Sequence, residues 1–209
     1  MDKDQEKFYR ENLSPEMFEA WKHLMEHKRR MLFRPDYTLG DVLEVTGLTK
    51  AQLLNWLHRD LVKLSTTQNP GHGKRRLYTG LDIIMICAAQ KLSSIGLPIK
   101  LVQSFSKHIG ERAELMVSGN GGLRGYYLIF HPKEDGWRCD GAYGSGEGLN
   151  LSDVGKVFFA GEIFIVFQVD ELIHRVLQEL SEIKGLHFAS GTAKDLRKAA
   201  DEIREGEKE

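Results

Sequence analysis

Between Tyr37 and Ile109 the apolar positions come in short bursts at helical spacing, separated by short turns. Leu39, Val42, Leu43 and Val45 follow Thr38, which predicts a short helix capped by that threonine. Thr46-Gly47-Leu48 reads as a tight turn. Thr49 caps a second helix, from Lys50 to about Arg59, with Leu53, Trp56 and Leu57 turned inward. Leu61-Val62-Lys63-Leu64 then reads as a short strand, and KRRLYT as the strand that returns. The residues between them, STTQNPGHG, are turn formers throughout. Leu81 to Ile95 is a strongly apolar helix, broken by Gly96-Leu97-Pro98. Pro98 opens a further helix to about Ile109.

The flanks follow a different rhythm. Residues 1–13 are charge-rich and are expected to be loose. Ser14-Pro15 is a helix start, with a side-chain cap and a proline whose missing N–H costs nothing in the first turn. The helix runs to about Leu32, with Phe18, Trp21, Leu24 and Met25 on one face, and Pro35 ends the stretch. After Glu111 come the flexible SGNGGLRG, a strand from Tyr126 to His131, a turn at PKEDG and a partner strand WRCDGAY. GSGEGLNLSD reads as a loop, VGKVFF as strand or helix, and EIFIVFQV as a strand. A final amphipathic helix begins at Asp170, which caps it. Its stripe of Leu172, Val176, Leu180 and Ile183 can pack on the sheet or on a second subunit. From about Ser190 the chain is polar and expected to fray.

The fold class expected is therefore α+β: a mostly helical winged helix-turn-helix domain followed by a small α+β domain. The boundaries are 1–35 for a helical extension, 36–110 for the winged domain, 111–187 for the α+β domain and 188–209 for a charged tail.

Bulk composition narrows the function only a little. The chain has 209 residues, 41 % hydrophobic and 28 % charged, with a formal net charge of −1. Global charge does not announce a nucleic-acid partner, but local charge does. Asp60 is the only acid between Lys50 and Thr79, a span holding Lys50, Arg59, Lys63, Lys74, Arg75 and Arg76. That is an electrostatic footprint for phosphate. Two cysteines, Cys87 and Cys139, lie far apart in apolar or strand-like runs, so neither a disulfide framework nor a thiolate metal site is implied. The histidines of the C-terminal half lack ligand spacing, and no catalytic constellation assembles. No metal, cofactor or enzymatic activity is expected. The polar opening residues and the lack of a long apolar run lead to an expectation of a cytoplasmic protein with no membrane partner.

In a helix-turn-helix the second helix enters the major groove. With Leu53 at the core, Ala51, Gln52, Asn55, His58 and Arg59 point outward. Gln and Asn can each read adenine through two hydrogen bonds, and Lys50 and Arg59 suit phosphates. The hairpin beyond becomes a wing, whose tip from Asn69 to Gly73 lets the main chain approach the DNA while Lys74, Arg75 and Arg76 neutralise it. Leu77 would point into the core, and Tyr78 could pack its ring there and offer its hydroxyl to a phosphate. The candidate DNA-binding residues are Thr49, Lys50, Gln52, Asn55, His58, Arg59, Lys74, Arg75, Arg76 and Tyr78.

The stretches YTLGDVLEVTGLTKAQLLNWLHRDLVK and GKRRLYTGLDIIMICAAQKLSSIGLPIKLVQSF, within residues 37–109, resemble the MerR family of winged-helix transcription regulators. The shared features are the helix-turn-helix, the aromatic Trp56, the exit Asp60-Leu61-Val62, the wing Arg76-Leu77-Tyr78 and the apolar helix ending in Leu92 to Gly96. The resemblance implies double-stranded DNA as partner, usually bound by a homodimer, and in some members activation by untwisting an over-long promoter spacer. Leu54 stands where the family usually has arginine, Asn55 where it has tyrosine and Asp60 where it has glycine. Where the family's long dimerisation helix would follow, this chain runs into SGNGG. The C-terminal sheet is a candidate holder of a small-molecule effector. Three alternatives stay open: a winged-helix protein-interaction module, an architectural or recombination accessory factor, and an enzyme of unseen class in the C-terminal domain.

Overall fold

A computed structural model describes residues 3–65, 75–117, 125–133, 136–143 and 165–184. The element order is α1 (Lys3–Asn12), α2 (Pro15–Phe33), α3 (Leu39–Thr46), α4 (Lys50–His58), α5 (Gly80–Ser94), α6 (Ile99–Val117), β1 (Tyr126–Lys133), β2 (Gly136–Tyr143), β3 (Ile165–Gln168) and α7 (Val169–Ile183). Helices dominate and a small sheet follows, in keeping with an α+β class. The chain divides into two compact units, residues 122–173 and the remainder, and the boundary falls within α7.

In the first unit three helices start in the same way. Thr38, Thr49 and Thr79 each accept a hydrogen bond from the backbone N–H three residues on, and the side chain there bonds back to the threonine N–H. Each such reciprocal cap contributes about 1 kcal/mol. Gly47 ends α3 with φ 67°, a left-handed turn that glycine adopts without steric cost, and Leu48 is buried immediately after it. Helix α5 is the hub: Ile83, Ile84, Ile86, Ala88, Ala89 and Leu92 are fully buried. It packs against α2, α3 and α6.

Residues 1–13 were expected to be loose, yet α1 covers Lys3–Asn12. The reason is tertiary. Tyr9 stacks on Trp21 with ring centroids 4.4 Å apart, and Arg10 lies over the Phe18 ring. The helix after Pro98 also runs past Ile109 to Val117, with Ile109, Arg112, Ala113 and Val117 buried along it.

The strand expected at Leu61–Leu64 does not form, and residues 75–79 make only one bridge. Tyr78 exchanges both backbone hydrogen bonds with Tyr37, at 3.1 and 2.8 Å, so its pairing partner lies ahead of α3. Leu61 and Val62 are buried instead. The tip from Asn69 to Gly73, Lys74, most of SGNGGLRG, GSGEGLNLSD, VGKVFF and the tail from 188 lie outside the described residues.

In the second unit β1 is the central strand of a three-stranded antiparallel sheet of order β2-β1-β3. Tyr127, Leu128, Ile129 and Phe130 are all buried, so side chains on both faces of this strand are covered. Asp170 was expected to cap the last helix. It sits instead inside the first turn of α7, buried, and accepts the Tyr126 N–H at 3.0 Å. Leu172, Ile173, Val176, Leu177 and Leu180 of α7 are buried within the protomer. Of the expected stripe, Leu172, Val176 and Leu180 are thus buried, and Ile183 is half-buried.

Candidate nucleic-acid interface

The site is built on α4 and the chain that leaves it. Leu53 anchors α4 with no exposed surface, and Trp56 and Leu57 are half-buried beside it. Lys50, Ala51, Gln52, Leu54, Asn55, His58 and Arg59 are all exposed. The outward set thus includes Leu54, 49 % exposed, which the core-centred reading left out. Its signal was present, since an apolar side chain stood where the resembled family carries a charge.

Thr49 and Gln52 are committed to the local structure. The Thr49 hydroxyl accepts from the Gln52 N–H, and Gln52 Oε1 accepts from the Thr49 N–H at 2.9 Å. Only the amide Nε2 of Gln52 is left to face outward while this cap holds. A two-bond reading of adenine by Gln52 would break the cap, so Asn55 is the better placed of the two amides.

The exit from α4 is fixed by two features. Asp60 has φ 52°, a conformation that disfavours side chains and that aspartate tolerates better than most residues. It occupies the position that the resembled family fills with glycine. Its carbonyl accepts a hydrogen bond from Gln103 Nε2 of α6 at 2.9 Å, which ties the end of α4 to α6. Asp60 is also exposed. Asp60→Gly is therefore expected to leave stability unchanged or raise it by up to about 1 kcal/mol, because relief of the left-handed strain offsets added unfolded-state freedom. It should also tighten DNA binding a fewfold at low salt, since one negative charge is removed. Thermal melts and a binding titration check both; a loss above about 1 kcal/mol contradicts the strain argument.

The segment between α4 and α5 is held at both ends by one carboxyl group. Asp82 has no exposed surface. Its Oδ1 accepts the Ser65 N–H at 2.6 Å, and its Oδ2 accepts the Thr79 N–H at 3.0 Å. Ser65 Oγ lies 3.0 Å from Thr79 Oγ1. The outgoing and returning chains are thus brought together at the start of α5. Beyond them Arg75 is exposed and Arg76 half-exposed. Tyr78 is 3 % exposed, so its ring packs in the core as expected, and its hydroxyl has almost no surface to offer a phosphate. Burial pushes its phenol up, and Arg76 nearby opposes that shift. Leu77, expected to point inward, is half-buried.

Lys184, just after α7, donates to the Asp36 carbonyl at 2.8 Å and lies 5.0 Å from the Tyr37 ring centroid. Tyr37 carries the bridge to Tyr78, so the end of α7 braces the base of the same segment. Cys87 is inert packing: burial raises its thiol to about 12, far from the thiolate a metal or redox site needs. A surface cavity of about 290 Å³ is lined by Glu44, Val45, Glu179, Glu182 and Ile183. No helix among the described residues is long and apolar enough to cross a membrane.

Residues 37–108 match the family model described as MerR HTH family regulatory protein, about a third of the chain. This segment is a MerR-like helix-turn-helix. It begins at the Tyr37 bridge and spans α3, α4, α5 and half of α6. No curated protein matches the chain.

Proposed function

We propose that the protein is a sequence-specific DNA-binding transcription regulator. In this reading α4 enters the major groove and the segment carrying Lys74, Arg75 and Arg76 acts as a wing on the phosphate backbone. The observation that carries it is the capped α3–Gly47–α4 unit with its second helix bare of packing on the outer side. Asn55 reads a base edge, and Lys50, Arg59, Arg75 and Arg76 meet phosphates. His58 completes the outer face. Thr49 sets the start of the helix and can present its N-terminal dipole to a phosphate. A homodimer, which the resemblance implies, would use a surface other than the buried Leu172, Val176 and Leu180 of α7.

The two kinds of contact predict different losses. Arg76→Ala should weaken binding to every duplex and lower the slope of log affinity against log salt by about 1, because one phosphate contact is lost. Asn55→Ala should instead keep the slope and relax preference at one or two base pairs. Titrations at several salt concentrations against two unrelated duplexes separate these effects. An unchanged affinity and slope for Arg76→Ala would remove the wing from the account.

A further inference from the structure

The exposed leucine on α4 adds a chemical specificity to the proposed interface, and the inference rests on that reading. Single exposed leucines are ordinary on protein surfaces, so exposure alone assigns nothing to Leu54. Its surroundings do. Leu54 is 49 % exposed, on a helix whose flanking cations, Lys50 and Arg59, are also exposed. Ala51 lies one turn before it, about 60° away around the helix, and Asn55 lies about 40° beyond Ala51. Ala51 and Leu54 thus form a small apolar strip beside one amide, Asn55, inside a cationic frame.

The cationic frame suits a polyanion, and the apolar strip needs an apolar group on that polyanion. In the major groove the thymine C5-methyl is that group. The amide of Gln52 does not compete for this role, because its oxygen is held by Thr49. We infer that Leu54, with Ala51 beside it, covers a thymine methyl next to an adenine read by Asn55. The recognised step is then A·T-rich, and its thymines are distinguished by shape and hydrophobicity rather than by hydrogen bonds. Ala51 lies between Leu54 and Asn55 around the helix, so the adenine and the covered methyl belong to the same or adjacent base pairs.

Uracil in place of thymine deletes only the methyl group and keeps every hydrogen bond. The test uses the full chain and a duplex enriched by it from a random-sequence pool. That duplex is resynthesised with deoxyuridine at each thymidine in turn. One or two positions should weaken wild-type binding by about fourfold, the equivalent of one well-covered methyl. Leu54→Ser should bind the thymine and uracil duplexes equally, and Leu54→Met should retain the difference. Both variants alter an exposed position, and melting curves confirm their fold. Equal wild-type affinity for thymine and uracil at every position, with sequence-specific binding intact, overturns the inference and leaves the proposed function standing. A thymine preference that survives in Leu54→Ser overturns it too. If the wild type enriches no duplex at all, the proposed function fails and takes the inference with it.

Discussion

Asp82→Ala is expected to cost about 2–4 kcal/mol of stability and to weaken DNA binding beyond that loss. Two backbone N–H groups, those of Ser65 and Thr79, lose their acceptor at once. A buried donor left without a partner costs about 1–3 kcal/mol. The Thr79 group is buried, and the Ser65 group is partly so, which places the sum below twice the upper figure. The Thr79 bond is half of the capping box of α5, so the start of that helix loosens with it. For a chain of this length the melting temperature should fall by roughly 5–15 °C. The second consequence is functional. With the outgoing and returning chains no longer tied together, the Arg75–Arg76 segment must be ordered on binding. Fixing one further residue costs about 1–2 kcal/mol, close to a tenfold loss of affinity. Melting curves measure the first effect. Titrations well below the melting temperature measure the second. Asp82→Asn, which keeps one acceptor oxygen, should fall between wild type and alanine in both. A variant with full stability and affinity would mean that Asp82 does not organise this segment.

Gly80→Ala should destabilise the fold by about 3 kcal/mol, against the direction that helix propensity alone predicts. Gly80 is the first residue of α5, and a helical glycine-to-alanine change ordinarily gains up to about 1 kcal/mol. Here the added Cβ would lie 2.5 Å from the Met31 carbonyl oxygen and 3.2 Å from Leu32 Cα. These are backbone atoms of α2, which cannot swing aside as a side chain can. Relief requires α5 to move away from α2, and that opens the contacts around Leu32 and Ile83, both fully buried. Denaturant unfolding of the pure variant gives the sign directly. A stabilised Gly80→Ala would show that α2 and α5 do not approach this closely.

The two cases share a reason for having been hard to read from the chain. Thr38 and Thr49 were legible as caps because capping is local: acceptor and donor lie three residues apart, and the residue types announce it. The turn at Gly47 and the inward Leu53 were legible for the same reason. Asp82 was not, because half of its role lies seventeen positions back at Ser65. Helix α1 was read as loose because Trp21 and Phe18, which receive Tyr9 and Arg10, belong to the next helix. The expected strand at Leu61–Leu64 had suitable side chains, but Tyr78 found its partner at Tyr37. On α4 exposure follows from helical phase, so Asn55, His58 and Arg59 are exposed as expected. Gln52 looked like a base reader by residue type, and its oxygen went to the cap. Tyr78 looked like a phosphate ligand by position, and the core took it. Leu54 is absent from the outward set that helical phase alone gives, because an apolar residue type points inward.

The central claim is that α4 reads base edges while the neighbouring cations hold the backbone. The most direct measurement is a paired titration of the full chain over a range of salt concentrations. One duplex is enriched from a random pool, and the other has the same composition in scrambled order. The account predicts that affinity for both falls steeply with salt, and that the enriched duplex binds at least about a thousandfold tighter throughout. Equal affinities for the two duplexes, or binding indifferent to salt, would contradict it.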